Sequence, residues 1–586
     1  MFKQDPSAVG GSLTLSALCA LIPLAVLFVL LGGLKLKAWI AGLISLVVAL
    51  VVAVVLFSMP VGQSLSAAVD GALFGFFPIL WIVINAVWIY NLTVASGHFD
   101  VLRRSFEKVS PDQRIQAIII AFCFGALLEA LAGFGTPVAI SVVMLMSLGF
   151  KPLKAATVAL VANTAPVAFG ALAIPVVTLA PIAAGVSNDP RLSDANALHT
   201  LGSMVGRQTP ILALVVPLIL VFIVDGRRGV RQTWLPALLS GLVFAVAQFV
   251  TANYISVQLT DIVASLLAAG ALVLLVRVWS PSEVLTADKV DAEEREHAGS
   301  RNTAGTERRT TGGGTTTATA TGDGGLGDQG EDRPRLPDTG AEVARAYAPY
   351  LVIIVIFSIT NIPAVVDFLA KAPFTYLFDW PGLDIVNGAG KPVLTQFKFN
   401  WLPAAGSLLV IAGLITMVIL KVKPGKAFRT YLATYVELKS AIITVMAVLA
   451  LAYVMNLSGQ TGSLGAWLAG TGGLFAIISP VLGWIGVAVT GSDTSSNSLF
   501  GALQVQAAAK AGLDPVLMAG ANSSGGVLGK MVSPQNLAIA AAAVGMSGQE
   551  GELFRRVIGW SLFLLVLMCL IVGLQATPVL SWMIPG

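Results

Sequence analysis

The stretch "GSDTSSN" (491–497) sets an acid, Asp493, an amide, Asn497, and the hydroxyls of Ser492, Thr494, Ser495 and Ser496 between apolar runs. Polar groups in such surroundings are costly unless they bind a ligand or one another. Three other stretches share the pattern. "EALAGFGTP" (129–137) holds Glu129 ahead of Gly133, Gly135 and Thr136. "ANTAPVAFG" (162–170) holds Asn163 and Thr164, and "ANSSGGVLGKMVSPQN" (521–536) holds Asn522, Ser523, Ser524, Lys530, Ser533, Gln535 and Asn536. Each joins glycine or proline, which break a helix, to side chains that donate or accept hydrogen bonds.

A broken helix exposes N–H groups and the positive end of its dipole, an arrangement that favours an anion such as a carboxylate. Gly133, Gly135, Thr136 and Gly491 would supply such backbone at two tips. Lys530 lies among glycines and not in a basic loop. A lysine at membrane depth costs at least about 2.5 kcal/mol, so it is expected to face a cavity, as the ligand of a substrate carboxylate or as the partner of Asp493; snorkelling from a helix end is the plainer alternative. Burial favours a protonated carboxyl and a nearby cation the ionised form, so Glu129 and Asp493 are the candidates for proton coupling. Glu129, with no cation close in sequence, reads as the proton carrier. Asp493, among donors and facing Lys530, reads as the group that stays ionised. Either acid could instead cap a broken helix. Asn163, Thr164, Ser492, Ser495, Ser496, Asn497, Asn522, Ser523, Ser524 and Gln535 are candidates to fix a substrate hydroxyl, or to join helix to helix.

These stretches need elements to carry them. The chain has 586 residues, 56% hydrophobic and 11% charged, against about 25% charged in soluble domains. Windows such as 15–33, 38–57 and 557–574 hold about 18 or more nearly uncharged residues, enough to span a bilayer as a helix. The expected class is an all-α polytopic membrane protein. The net charge of +4 comes from short basic loops of the kind that set topology, which argues against nucleic-acid binding. Cys19, Cys123 and Cys569 fall in apolar runs with no metal or disulfide spacing. No HExxH, GxSxG or Walker A motif is present, so neither an enzyme, a cofactor nor a metal is expected.

Residues 280–345, rich in glycine, threonine and charge, read as a disordered cytoplasmic linker between an N-terminal half (1–279) and a C-terminal half (346–586). The halves match in order: Asn91 with Asn456, Glu129 with Asp493, Pro152 with Pro515, and Asn163 with Asn522, at offsets of 365, 364, 363 and 359. Basic loops around 35–37, 98–114, 151–154, 225–231, 421–429 and 555–556 are assigned to the cytoplasm. Both termini then lie outside. A hairpin over 115–149 opens from the cytoplasm and one over 463–511 from outside, each followed by a broken helix, 154–184 and 515–546. This is an inverted-topology repeat, an arrangement common among secondary transporters.

Four segments, "LLEALAGFGTPVAI" (127–140), "NTAPVAFGALAIP" (163–175), "GSDTSSNSLFGALQ" (491–504) and "ANSSGGVLGKMVSPQNLAIA" (521–540), together resemble the lactate permeases, the L-lactate, D-lactate and glycolate proton symporters of prokaryotes. The resemblance implies a multi-pass protein of the plasma membrane that imports a small 2-hydroxymonocarboxylate with a proton. By analogy with the wider ion-transporter superfamily it implies an elevator-like scaffold and moving transport domain, with a homodimer contact a possibility. A sodium-coupled carboxylate transporter using Asp493, and a channel or membrane sensor, are the rival expectations.

Overall fold

Lipid offers no partner to backbone N–H and C=O groups, so an apolar run closes its hydrogen bonds within itself as a helix. In a computed structural model, which describes residues 1–286, 289 and 339–586 apart from 35, 132, 134, 194, 361, 388–391, 394, 547 and 548, eleven helices are long and apolar enough to cross a membrane. The chain is a multi-pass membrane protein. Helices dominate, but four short strands depart from the all-α expectation. Phe2–Lys3 pairs in parallel with Ile385–Val386, and Tyr376–Asp379 pairs antiparallel with Gln396–Phe399. They lie in the loop before Ala405–Ile419 and in the N-terminal segment, where no helical periodicity competes.

The glycine and proline clusters divide the polar region into four broken elements. The first hairpin comprises Gln113–Leu131 and Thr136–Ser147. A broken helix follows, Pro152–Ala162 and then Gly170–Ala184. The second hairpin comprises Phe475–Thr490 and Asp493–Ala511, and its broken helix comprises Pro515–Gly529 and Pro534–Ala543. The second hairpin therefore begins at Phe475 and not at 463. Residues Gln460–Leu468 form a separate helix, set off by the glycines of "GTGG", where Gly472 has φ 58°. The linker expected over 280–345 is also shorter at both ends. Leu285 is buried and its N–H donates to Asp112 Oδ2 (3.0 Å), while the Glu283 carbonyl accepts from Arg114. At the other end the helix Gly340–Thr360 has begun. The middle of that segment lies outside the described residues.

The hairpins and broken helices pack on one another across the two halves. Gly170–Ala184 lies against Asp493–Ala511, and Pro534–Ala543 against Thr136–Ser147. A second set surrounds this group: Ala38–Val55, Val61–Phe74, Trp81–Ala95, Ala405–Ile419 and the 34-residue helix Pro424–Leu457. Close approach in this set depends on glycine. A Cβ at Gly71 would fall 2.6 Å from the Leu449 carbonyl oxygen, and one at Gly413 would fall 2.3 Å from the Trp88 ring.

Contacts at the helix ends gather the loops into separate clusters. Arg114 joins Asp112 (2.7 Å) and Asp225 (3.1 Å), Gln113 donates to the Gly149 carbonyl, and Lys154 donates to the Val224 carbonyl. The broken helix 152–184 leads away from that cluster to another, in which Arg191 joins Asp189 (2.6 Å), Asp514 (2.8 Å) and the Pro585 carbonyl. A third cluster ties the N-terminus to distant loops: Gln4 donates to the Asn456 carbonyl, Ser463 to Pro6, and Ser66 to Pro381.

Candidate substrate site

The broken elements converge on a cavity of about 970 Å³. Ser492 caps Asp493–Ala511, accepting from the Ser495 N–H (3.2 Å), and Ser533 caps Pro534–Ala543, accepting from the Asn536 N–H (3.4 Å). The first turns of both helices, with Asp493, Thr494, Ser495, Gln535 and Asn536, line the cavity. So do Ala171, Ile174 and Pro175 at the restart of the first broken helix. Positive helix ends therefore face the space from more than one direction, a field suited to an anion. The opposite wall comes from the surrounding set, through Trp39, Ser440, Ala441, Thr444 and Val445.

At the centre, Lys530 Nζ donates to Glu129 Oε1 at 2.5 Å, across 401 residues of sequence. Both side chains are nearly sealed, at 8% and 3% exposure. Lys530 is placed by the turn Lys530–Val532, whose first carbonyl accepts from Ser533 Oγ and Asn536 Nδ2. Glu129 is placed by the last turn of Gln113–Leu131 and by Gly170, where a Cβ would stand 2.8 Å from Oε1. Its other oxygen, Oε2, has no hydrogen-bond partner among the described residues. The expected pairing is thereby corrected: Lys530 bonds Glu129, not Asp493. Sequence distance misled, because the cation comes from the other half of the chain. Asp493 instead accepts from Ser523 Oγ (2.6 Å), and its Oδ1 has no partner among the described residues.

Of the remaining expected contributors, Gly133, Gly491, Ser492, Ser495 and Gln535 line the cavity. Others lie behind it. Asn497 Nδ2 donates to the Pro175 carbonyl (3.1 Å), Asn522 Nδ2 to Asn497 Oδ1 (2.9 Å), and Gln504 Nε2 to Asn522 Oδ1 (3.1 Å). Ser496 donates to the Gly483 carbonyl. These bonds hold helix to helix: the bond from Asn497 to Pro175 crosses between the halves, and Asn522 braces Asn497 within the C-terminal half. Asn163, Thr164 and Ser524 are buried with side-chain atoms unpartnered among the described residues, and they too lie off the wall. Gly135 (φ 86°) and Thr136 turn the first hairpin behind Asn536 and Ile539. Sequence reasoning missed two glycines that make room for the acids: Gly170 beside Glu129, and Gly526, where a Cβ would fall 2.3 Å from Asp493 Oδ1. Both lie inside stretches singled out for their breaks, but the spacing held no hint of what each glycine faces.

A family model described as L-lactate permease matches residues 16–579. The chain belongs to the L-lactate permease family. It is a permease and not an enzyme. It is 39% identical to the L-lactate permease of Bacillus subtilis (strain 168) over the full length of both chains. It is 41% identical to the glycolate permease GlcA of Escherichia coli (strain K12), over 97% of this chain and 96% of that one. The solved structure of Neisseria gonorrhoeae MtrF aligns over 88% of this permease and 84% of its own chain at 14% identity, with a TM-score of 0.42; so weak a likeness carries no argument.

Proposed function

We propose that this permease imports small 2-hydroxymonocarboxylates, lactate and glycolate, each with a proton, and that Glu129 and Lys530 couple the two. The observation that carries this reading is the Lys530–Glu129 pair sealed in a cavity rimmed by helix N-termini. The names of its relatives supply the substrate class. Removing one member of a buried ion pair costs roughly 3–5 kcal/mol, so Lys530 does not stand alone. A substrate carboxylate that takes Lys530 must displace Glu129, and Glu129 can then leave only by accepting a proton. The pair carries no net charge before binding. It carries none after one anion and one proton have entered together. An anion without its proton would leave a buried negative charge. The substrate hydroxyl would meet Ser492, Ser495 or Gln535 on the wall.

Three observations support an inverted repeat moving within a scaffold. The open end of the first hairpin is tied to the cluster of Arg114 and Asp225, whereas the second hairpin runs on into the cluster of Asp514 and Arg191. The cavity lies between the hairpin group and the surrounding set. At one end it is lined by Lys37 and Phe554, beside loops assigned to the cytoplasm by their charge; in this reading the permease is open inward, with its termini outside and its linker inside.

The test is uptake of labelled lactate by proteoliposomes under imposed proton or sodium gradients, with glycolate as competitor. Accumulation should follow the proton gradient and be inhibited by glycolate. Accumulation that followed sodium and ignored pH would overturn the coupling, and absence of concentrative uptake would overturn the transport reading.

A further inference from the structure

Away from the substrate cavity, a second hollow of about 800 Å³ opens where the long helix Ala197–Val250 kinks at Asp225–Gly226 and Thr233 and where Thr260–Val278 ends. Its walls are Arg227, Arg228, Arg231, Gln232, Trp234, Trp279, Ser280 and Ser282. No carboxylate among the described residues lines these walls. Arg228 is held by Asp225 (3.0 Å). Arg227 and Arg231 are exposed, and neither has an ion-pair or hydrogen-bond partner among the described residues.

Three features distinguish the hollow from a merely basic loop. Its floor is rigid: Asp225 also binds the fully buried Arg114, which donates to Gln232 Oε1 at 2.6 Å. Its rim carries two indoles, and Trp234 is 51% exposed on the same helix as the exposed apolar Leu242 and Val246; indoles at the end of an apolar helix suit the headgroup level. Two serine hydroxyls complete a donor set of guanidinium, indole and hydroxyl groups around a space open to the side. Besides Asp225, which is held by Arg114 and Arg228, the acid Glu283 accepts from Gln232 Nε2 at 3.3 Å.

We propose that this hollow is a binding site for the phosphate of an anionic phospholipid, with Arg227, Arg228 and Arg231 holding the headgroup and Trp234 and Trp279 lying along the glycerol and upper acyl chains. Guanidinium forks match phosphate oxygens in geometry and charge, and basic pockets at the cytoplasmic ends of spanning helices are suited to anionic headgroups. A soluble phosphate ester would satisfy the arginines but would leave the indoles without a function. Because Gln232 lines the hollow and also receives the Arg114 bond, lipid occupancy bears on the side chain that anchors the base of the first hairpin.

The test uses the purified full chain in detergent, titrated with phosphatidylglycerol, phosphatidylcholine or inorganic phosphate and read by native mass spectrometry. Phosphatidylglycerol should bind in preference to phosphatidylcholine and should resist displacement by inorganic phosphate. In the double variant R227Q/R231Q its affinity should fall roughly tenfold or more, at about 1 kcal/mol for each basic residue lost. Each single variant should show part of that loss. R277Q, which removes an exposed charge outside the hollow, should bind as the parent does. A monodisperse gel-filtration profile establishes that each variant is folded; should the double variant fail it, the single variants decide. Equal affinity for the two lipids, unchanged binding in the arginine variants, an equal loss in R277Q, or displacement by inorganic phosphate would each overturn the proposal.

Discussion

Glu129→Gln separates the proton from the anion. In the proposed coupling, one proton enters the parent for each carboxylate that takes Lys530, whose sealed partner Glu129 lies at 2.5 Å. Linkage then fixes the magnitude: where one proton is taken up with each anion, apparent substrate affinity should fall about tenfold per pH unit, or about 1.36 kcal/mol. Glutamine is close to glutamate in shape and still offers Lys530 a carbonyl, but it neither carries the charge nor takes up the proton. In the variant the anion becomes the only counter-charge for Lys530, so affinity should lose this pH dependence. Counterflow exchange of lactate should survive, and accumulation driven by a proton gradient should vanish. The assay is the half-saturating lactate concentration for counterflow in proteoliposomes over a pH series, beside concentrative uptake. A dependence of one decade per pH unit that persisted in Glu129→Gln would refute the reasoning and pass the proton to another group, Asp493 first. Lys530→Gln should abolish both activities. It should also destabilise the fold by roughly 3–5 kcal/mol, because Glu129 is left buried without its cation, and Glu129→Gln in the same chain should recover part of that loss.

Gly170→Ala tests the space beside Glu129. The backbone there (φ −62°, ψ 151°) accepts alanine, so the only obstacle is the methyl group 2.8 Å from Oε1; overpacking of roughly 1–3 kcal/mol should lower uptake at least several-fold while the purified protein stays monodisperse. The opposite entry of the hairpins predicts that, in a chain lacking Cys19, Cys123 and Cys569, a membrane-impermeant thiol reagent reaches Lys510→Cys from outside and Lys151→Cys only from the cytoplasmic side; labelling of both from one side would remove the inversion. At the Arg191 cluster, the hydrogen bond from Arg191 holds the Asp189 carboxyl below its ordinary range. Its contribution to stability is present above about pH 3.9 and is lost as pH falls through the lower folded value. Arg191→Gln should therefore lower the melting temperature at neutral pH and make little difference in strong acid, measured by scanning fluorimetry in detergent.

The class of the molecule and the four breaks were legible because hydropathy and glycine or proline placement act locally. The loop clusters were legible in part, since charge on short loops reports which ends share a face. Pairings between the halves were not. Nothing near Glu129 in sequence announces Lys530, and nothing near Asn497 announces the Pro175 carbonyl. Asn497 and Asn522 have the residue types of substrate ligands and serve instead as braces, a distinction that depends on the tertiary direction of each side chain. The turn Ala171–Leu172–Ala173, with φ of 44°, 57° and 60°, was also invisible. Three apolar L-residues carry no signal for a left-handed path that costs roughly 1–2 kcal/mol each; it persists because all three are buried at 5% exposure or less.

Matching Asn163 to Asn522 at an offset of 359 also sets Ala171 opposite Lys530 and Pro175 opposite Pro534. The two breaks are equivalent in the chain and unequal in chemistry. The first passes through its left-handed turn with a methyl group, and the second through a tight turn with an ammonium. That inequality is what the proposed proton-coupled anion site requires. A second cation at position 171 would leave a positive charge unmatched in the empty cavity. An anion could then bind without its proton. With Lys530 as the one cation of the two breaks, the acid that answers it comes from the other half, and the ion pair ties the first hairpin to the second broken helix. Pulling those elements apart without a substrate would expose two unpaired charges to a sealed interior, at several kcal/mol each. In the proposed cycle the tips of the empty site therefore travel as one body, and the motion that alternates access falls between that body and the helices carrying Trp39, Ser440 and Thr444.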